Sequence, residues 1–406
     1  MESLRLEQPA PPSAPDAPPL APFAPHHVTV AGNQLTIFVE SPPLFDALIA
    51  DIAAARSRIW LEVYIFSNDA GGTRIARALA QKARAGLDVR VLYDAVGSIA
   101  TPARFFSEMQ AAGVQVHAFH TLWEGLRRFR PLTILNRRNH RKLIVIDDTI
   151  GYFGGMNLID NIESHSPLKT ATIPSSSGWR DVHVRFQGPQ QPDLAESFDR
   201  SWRRAHDQRI PRRPRGYRRA LLATAEESLR FFDSGWGLKY SRAARVYTAL
   251  LRRARHSVFI SMAYFVPVGQ VYRALLRARR RRVRIRVVVP GLSDVPLVQR
   301  ATTHIYAKLL RRRIRIYERQ QRMLHSKVMV VDDQWTVLGS CNLDPRSLWI
   351  NLEFLAVIRS RPLAELMRRV CQGEITASTR VRLADLPTHW WPKLLNTLAW
   401  SLRWWL

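Results

Sequence analysis

The 406-residue sequence predicts an α/β protein built from two similar halves. Three observations carry this reading. One stretch occurs twice, as NHRKLIVIDDTIGYFGGMN from Asn139 to Asn157 and as LHSKVMVVDDQWTVLGSCN from Leu324 to Asn342. The segments before both copies alternate short β-branched runs with amphipathic helical runs, the pattern of strands joined by helical crossovers and hence of a largely parallel sheet. The length suits two domains, and 46% hydrophobic residues suffice for a real core.

The elements follow in order. Residues 1–28 are rich in Pro and Ala and read as a disordered or polyproline-like tail. They lack the basic start and apolar run of a signal peptide. The first domain is expected over 29–202, with strands at 35–40, 58–66, 88–94 and 114–119 and helices at 41–56, 73–86 and 102–112. Ser41 is a candidate N-cap, and Gly86 ends the second helix. An Arg- and Pro-rich connection is expected over 203–240. The second domain, 241–380, repeats the order: strand 257–267, helix 269–280, strand 282–291, helix 298–312 and strand 313–318. In this alignment Tyr264 stands opposite Tyr64. A Trp-rich amphipathic tail closes the chain at 381–406. No run of about 18 apolar residues suggests a membrane-spanning helix.

The repeated stretch has a physical reading. LIVI and VMVV are apolar and mostly β-branched, so each reads as a buried strand. Residues at i and i+2 of a strand share a face, which would project His140 with Lys142 and His325 with Lys327. The Asp-Asp pairs at 147–148 and 332–333 end each strand at a turn. A second strand then runs to small residues, Gly154-Gly155 and Gly339-Ser340, which leave room for Asn157 and Asn342.

The two complete copies carry the HxK(x)4D signature, and the chain resembles the phospholipase D superfamily from about Leu35 to about Cys371. The runs Asn139-His140-Arg141-Lys142, Gly154-Gly155-Met156-Asn157 and Trp179-Arg180-Asp181 are most similar to bacterial cardiolipin synthases of the short type without N-terminal transmembrane helices. The resemblance implies two α/β/α sandwich domains packed face to face, with one active site at their interface. It implies that one histidine attacks phosphorus to form a phosphohistidine while the other serves as acid and base. His140 is the expected nucleophile and His325 the acid/base. Lys142, Lys327, Asn157, Asn342 and Ser340 are expected to hold the phosphoryl oxygens. Glu353, 28 residues after His325, and its first-half counterpart Asp181 are expected to orient the histidines. Asp147 and Asp332 complete the catalytic signature, although their own side chains are expected to make structural ion pairs or turn contacts.

Composition narrows the substrate. A net charge of +28 calls for a polyanionic partner. Nucleic acid is disfavoured, because the basic runs 277–286 and 311–319 hold only Tyr317 for base stacking. The tail carries Trp390, Trp391, Trp400, Trp404 and Trp405, with Leu394, Leu395, Leu398 and Leu402 at helical spacing, beside Lys393 and Arg403. This suits an interfacial helix on an anionic phospholipid surface, and a helix packed on the core is the alternative. Cys341 and Cys371 form no disulfide framework and fit a reducing compartment. Together with the tail, the resemblance to cardiolipin synthases implies a phosphatidyltransferase, peripheral on the cytoplasmic face of the bacterial membrane, that joins two phosphatidylglycerols into cardiolipin and releases glycerol. A phosphodiesterase or nuclease of the same fold is the alternative, and a non-enzymatic scaffold would not need both motifs intact. Oligomeric state is not legible.

No metal-ligand spacing stands beside the two lysines, and no cofactor is expected. Turnover should persist in excess chelator. Its loss there, restored by one specific divalent ion, would contradict this expectation.

Overall fold

A computed structural model describes residues 24–121, 136–160, 178–208, 221–235 and 241–405. Most of the Pro/Ala-rich run, much of the Arg/Pro-rich connection and residues 161–177 lie outside the described residues.

The first half comprises β1 (His26–Val30), β2 (Asn33–Phe38), α1 (Ser41–Ala54), β3 (Arg58–Val63), α2 (Ala70–Arg84), β4 (Asp88–Asp94), α3 (Ala103–Ala111), β5 (Gln115–Phe119), β6 (Leu143–Ile146), β7 (Ile150–Gly154), β8 (Trp179–Arg180), β9 (His183–Gln187) and α4 (Gln191–Ala205). The second half comprises β10 (Ser228–Ser234), α5 (Arg242–Arg253), β11 (Ser257–Met262), α6 (Gly269–Arg280), β12 (Arg284–Pro290), α7 (Pro296–Arg311), β13 (Arg315–Arg319), β14 (Met323–Leu324), β15 (Lys327–Val331), β16 (Trp335–Gly339), β17 (Glu353–Arg359), α8 (Arg361–Thr376), β18 (Ser378–Val381) and α9 (Trp390–Ser401).

Local chemistry sets many boundaries. Asp69 caps α2 by accepting from Gly72 N, and Ser241 caps α5 by accepting from Ala244 N. Glu40, not Ser41, occupies the N-cap of α1, whose first turn takes the prolines. Gly86 adopts φ +90° just past α2, a conformation open to glycine.

The two large sheets run β1-β2-β9-β7-β6-β3-β4-β5 and β10-β17-β16-β15-β11-β12-β13-β18. They are mixed rather than largely parallel. Helical crossovers make β3-β4-β5 and β11-β12-β13 parallel. The tight β6–β7 and β15–β16 turns force antiparallel pairs. β10 falls within the expected connection 203–240, yet it pairs with β17 as an edge strand. Its alternation of Leu229, Phe231 and outward residues was masked by the Arg-rich sequence before it.

Helices α1–α3 cover the outer face of the first sheet and α5–α7 that of the second. The inner faces meet in one core with α4 and α8. There Phe153 lies 5.1 Å from Phe231 and 5.9 Å from Phe354, ring centre to ring centre. A buried ionic network ties the halves beside this core. Arg180 contacts both Glu40 and Glu374, Arg319 Nε donates to Glu374 at 2.8 Å, and Arg322 reaches Glu40 at 2.8 Å. Two cations on one nearly buried carboxylate make Glu374 costly to remove, because each guanidinium would lose its partner inside the protein. Glu374→Ala is expected to lower unfolding free energy by about 3 kcal/mol in urea titration. An unchanged midpoint would show the network to be dispensable.

Candidate active site

Two backbone crossings build the site. Asn139 bridges Leu352, and His140 N donates to Leu352 O at 3.0 Å. β14 pairs in parallel with β8, and His325 N donates to Arg180 O at 2.7 Å. In each case the residue before an acid in one half holds the main chain of a histidine in the other. Leu352 precedes Glu353, and Arg180 precedes Asp181.

The carboxylates therefore cross over. Glu353 faces His140 Nδ1 with both oxygens at 3.2 Å, and Asp181 Oδ2 lies 2.6 Å from His325 Nδ1. The counting from His325 to Glu353 suggested partners within one half, but each acid serves the opposite half's histidine. The register explains it: Glu353 opens β17 and Asp181 lies just before β9, each where its chain leaves its own sheet toward the other.

Both histidines line one pocket of about 280 Å³, with Asn157, Asn342, Tyr64, Tyr264 and Asp294 among its walls. Asn157 Oδ1 accepts from Ile65 N at 3.2 Å and Asn342 Oδ1 from Tyr264 N at 3.3 Å. Each amide oxygen is thus engaged with main chain, which leaves the amide N–H groups as the free donors at the pocket. These pairs also fix the repeat register: Tyr264 corresponds to Ile65, so the expected match of Tyr264 with Tyr64 is one residue out. Asp294 has no counterpart in the sequence signature, and Tyr264 OH donates to it at 2.9 Å.

The lysines stand behind the histidines, fully buried. Lys142 Nζ donates to His140 O at 2.7 Å. Lys327 Nζ donates to His325 O, lies 2.7 Å from His325 Nδ1 and reaches Asp181 at 3.5 Å. Burial and the mutual repulsion of the pair push Lys142 well below the ordinary lysine range; burial lowers Lys327 as well. Neither lines the pocket wall.

Like the two lysines expected to hold the phosphoryl oxygens, three further expected site residues do not line the pocket. Asp147 and Asp332 are not at the pocket. Each ends a strand at positive φ, a conformation Asp tolerates, and its carboxylate collects main-chain N–H groups. Asp147 accepts from Arg56, Ser57 and Arg58; Asp332 accepts from Arg255, His256 and Ser257. Four strand residues at about 3.3 Å each separate the histidine end of β6 from this turn. Ser340 does not face a phosphate site either. Its hydroxyl donates to Glu353, and its carbonyl accepts from His140 Nδ1 at 3.1 Å. It orients the acid and the ring.

The environments of the two pairs differ. Burial pushes the Glu353 carboxyl up to about 8, with Lys142 and Ser340 opposing. Burial also acts on Asp181, but Lys327 and His325 outweigh it and hold this carboxyl below its usual range. Burial, Lys142 and Lys327 together lower His140 well below the ordinary imidazole value. Burial and Lys327 lower His325, against the raising pull of Asp181.

Gly155, the counterpart of Ser340, is where a Cβ would meet Asp181 Oδ1 at 2.2 Å. The shorter acid thus lies against glycine and the longer one against serine. Gly155→Ala is expected to displace Asp181 and cut turnover by about a hundredfold, through misplacement of His325. Gly373 in α8 has nothing within 4 Å of a built Cβ. Gly373→Ala should leave turnover intact and stabilise the helix by about 0.5–1 kcal/mol. Equal turnover in both variants would refute the positioning role.

Known proteins of similar sequence and fold place the chain in a family. A family model described as "Cardiolipin synthase, PLD-like domain" matches residues 48–165 and 247–373. The chain is 32% identical to cardiolipin synthase A of Pseudomonas putida (strain GB-1) over 359 residues, 88% of this chain and 71% of that protein. It is 32% identical to a cardiolipin synthase of Listeria monocytogenes over 347 residues, 85% of this chain and 70% of that one. In fold it is similar to phosphatidylserine synthase of Haemophilus influenzae, with TM-score 0.67 and 16% identity over 92% of this chain and 95% of that chain. With two such domains and one histidine pair between them, the chain belongs to the cardiolipin synthase family of phospholipase D-type phosphatidyltransferases.

Proposed function

We propose that the protein joins two phosphatidylglycerols into cardiolipin and releases glycerol, through a phosphohistidine on His140. The observation that carries this reading is the pair of histidines in one pocket, each with Nδ1 tied to the opposite half and Nε2 left for chemistry. Ser340 O can only accept, so His140 Nδ1 bears the proton and Nε2 holds the lone pair. A lowered proton affinity keeps this ring neutral, as a nucleophile requires. Burial and Lys327 lower His325, and the ionised Asp181 at its Nδ1 pulls the other way, so this carboxylate is what supports the imidazolium form of the acid.

His140 Nε2 attacks phosphorus of the first lipid. The P–O bond to glycerol breaks, and the departing oxygen takes the proton of His325. The vacated glycerol site admits the second phosphatidylglycerol. His325, now neutral, takes the proton from its terminal hydroxyl, and that oxygen attacks phosphorus as the P–N bond breaks. The Asn157 and Asn342 amides, with the charge of the buried lysines behind the rings, stabilise the phosphoryl oxygens in both steps. A protein of this function sits peripherally at the cytoplasmic face of the bacterial membrane, where its lipid substrates lie. Buried free Cys341 and Cys371 are compatible with that compartment.

Labelled phosphatidylglycerol should yield cardiolipin and glycerol with the wild-type protein; phosphatidic acid alone would instead make it a hydrolase. A donor with a nitrophenol leaving group needs no acid. On it His325→Ala should release one equivalent of nitrophenolate, and His140→Ala none. The opposite pattern would move the nucleophile to His325. Because His140 stays neutral below the ordinary imidazole value of 6.5, the acid limb of kcat/KM should fall below that pH.

A further inference from the structure

The tail helix is packed inside out. The strip of α9 turned toward α7 holds Asn396, 7% exposed, and Ala399, 1% exposed, with Trp400 stacked on His304 at 5.3 Å. The stripe turned to solvent holds Trp391, Leu394, Leu398, Leu402 and Trp405 at three- and four-residue spacing, each between 39 and 60% exposed. A helix docked only to complete a core would bury the leucines and expose the asparagine. Among the described residues ten large hydrophobics stand exposed, and eight of them lie in 383–405, so the apolar surface is one patch.

That patch is continuous with the catalytic pocket. Trp405 lines the pocket, and Arg346, another lining residue, donates to Trp405 O at 3.1 Å. Exposed Leu297 extends the patch on the first turn of α7, between Val295 and Val298 of the pocket wall. The two helices that carry the patch have charge of one sign, although Asp385 and Asp294 lie just outside them. Lys393 on α9 and Arg300, Lys308 and Arg311 on α7 are exposed, and neither helix carries an acidic residue.

We propose that α9, with the first turn of α7, seats on the surface of an anionic phospholipid bilayer and sets the pocket mouth against the headgroups. This deepens the transferase reading and rests on it for the identity of the lipid. The apolar stripe enters the acyl boundary, the tryptophans lie at the headgroup level, and the cations meet lipid phosphates. A second copy of this chain would oppose cation to cation across the same face. The tail is thus more than a detachable anchor: it docks on the second half, and its end forms part of the pocket wall.

The test uses the full chain with Trp391→Ser, Leu394→Ser and Leu398→Ser combined. None of these residues lines the pocket. Sedimentation with vesicles of phosphatidylcholine and phosphatidylglycerol is measured at low and high salt, beside turnover of monomeric short-chain phosphatidylglycerol. Binding at high salt should fall by at least about tenfold, because salt screens the charges and leaves the apolar contact. Turnover of the monomeric lipid should not change. Equal binding by both proteins at high salt would overturn the proposal. So would a wild-type dimer that the variant splits with no loss of vesicle binding. Should the triple variant melt early, Leu398→Ser alone and quenching of wild-type tryptophan by brominated lipid chains decide; an unquenched wild type overturns the proposal. Wild-type docking through the tail without cardiolipin formation would leave the docking standing and remove the transferase reading.

Discussion

Everything at the site depends on two main-chain hydrogen bonds between the halves, His140 N to Leu352 O and His325 N to Arg180 O. Each holds a histidine by its backbone at the point where the other half is about to present its acid. A carboxylate one residue further along then meets Nδ1 without any side chain having to search for it. The halves cannot separate without dismantling both pairs together, and the buried Phe153, Phe231 and Phe354 cluster and the Glu374 network beside them keep the halves in place. The core stabilises the fold, and the crossings convert that stability into alignment of the reacting groups.

The repeat is symmetric in backbone and unequal in chemistry. Asp181 lies against Gly155 and Glu353 against Ser340, so the length of the acid and the size of its neighbour change together. Deeper in the same strands, Arg141 meets Glu62 in the first half, whereas Ser326 meets Ser261 in the second. Charge balance around the two rings differs as a result. One carboxyl is pushed up to about 8 and the other is held low. Two sites alike in backbone thus differ in the charge around their histidines, and the proposed division of nucleophile and acid rests on that difference.

Much of this was legible in the sequence. The HxK(x)4D copies named both histidines and both lysines, and the alternation of strand and helix runs gave β4 and α6 to the residue. Asn157 and Asn342 were found because the repeat fixed them relative to the motif. Three things were hidden. Spacing along the chain cannot tell a partner in the same half from one across the interface, so the crossed acids were invisible. Pocket residues such as Asp294 belong to no periodic pattern and reach the site only through the end of β12. The tail's amphipathic spacing was readable, but which face would turn outward was not, because that depends on Asn396 and Ala399 fitting against α7.

Crossed orientation of the histidines is the claim on which the rest stands. Nitrogen-15 NMR of selectively labelled histidine reads tautomer and hydrogen bonding at each ring. Glu353→Gln should shift the nitrogens of His140 and leave those of His325 near their wild-type positions. Asp181→Asn should do the reverse. Shifts that follow each acid to the histidine of its own half would contradict the crossed assembly.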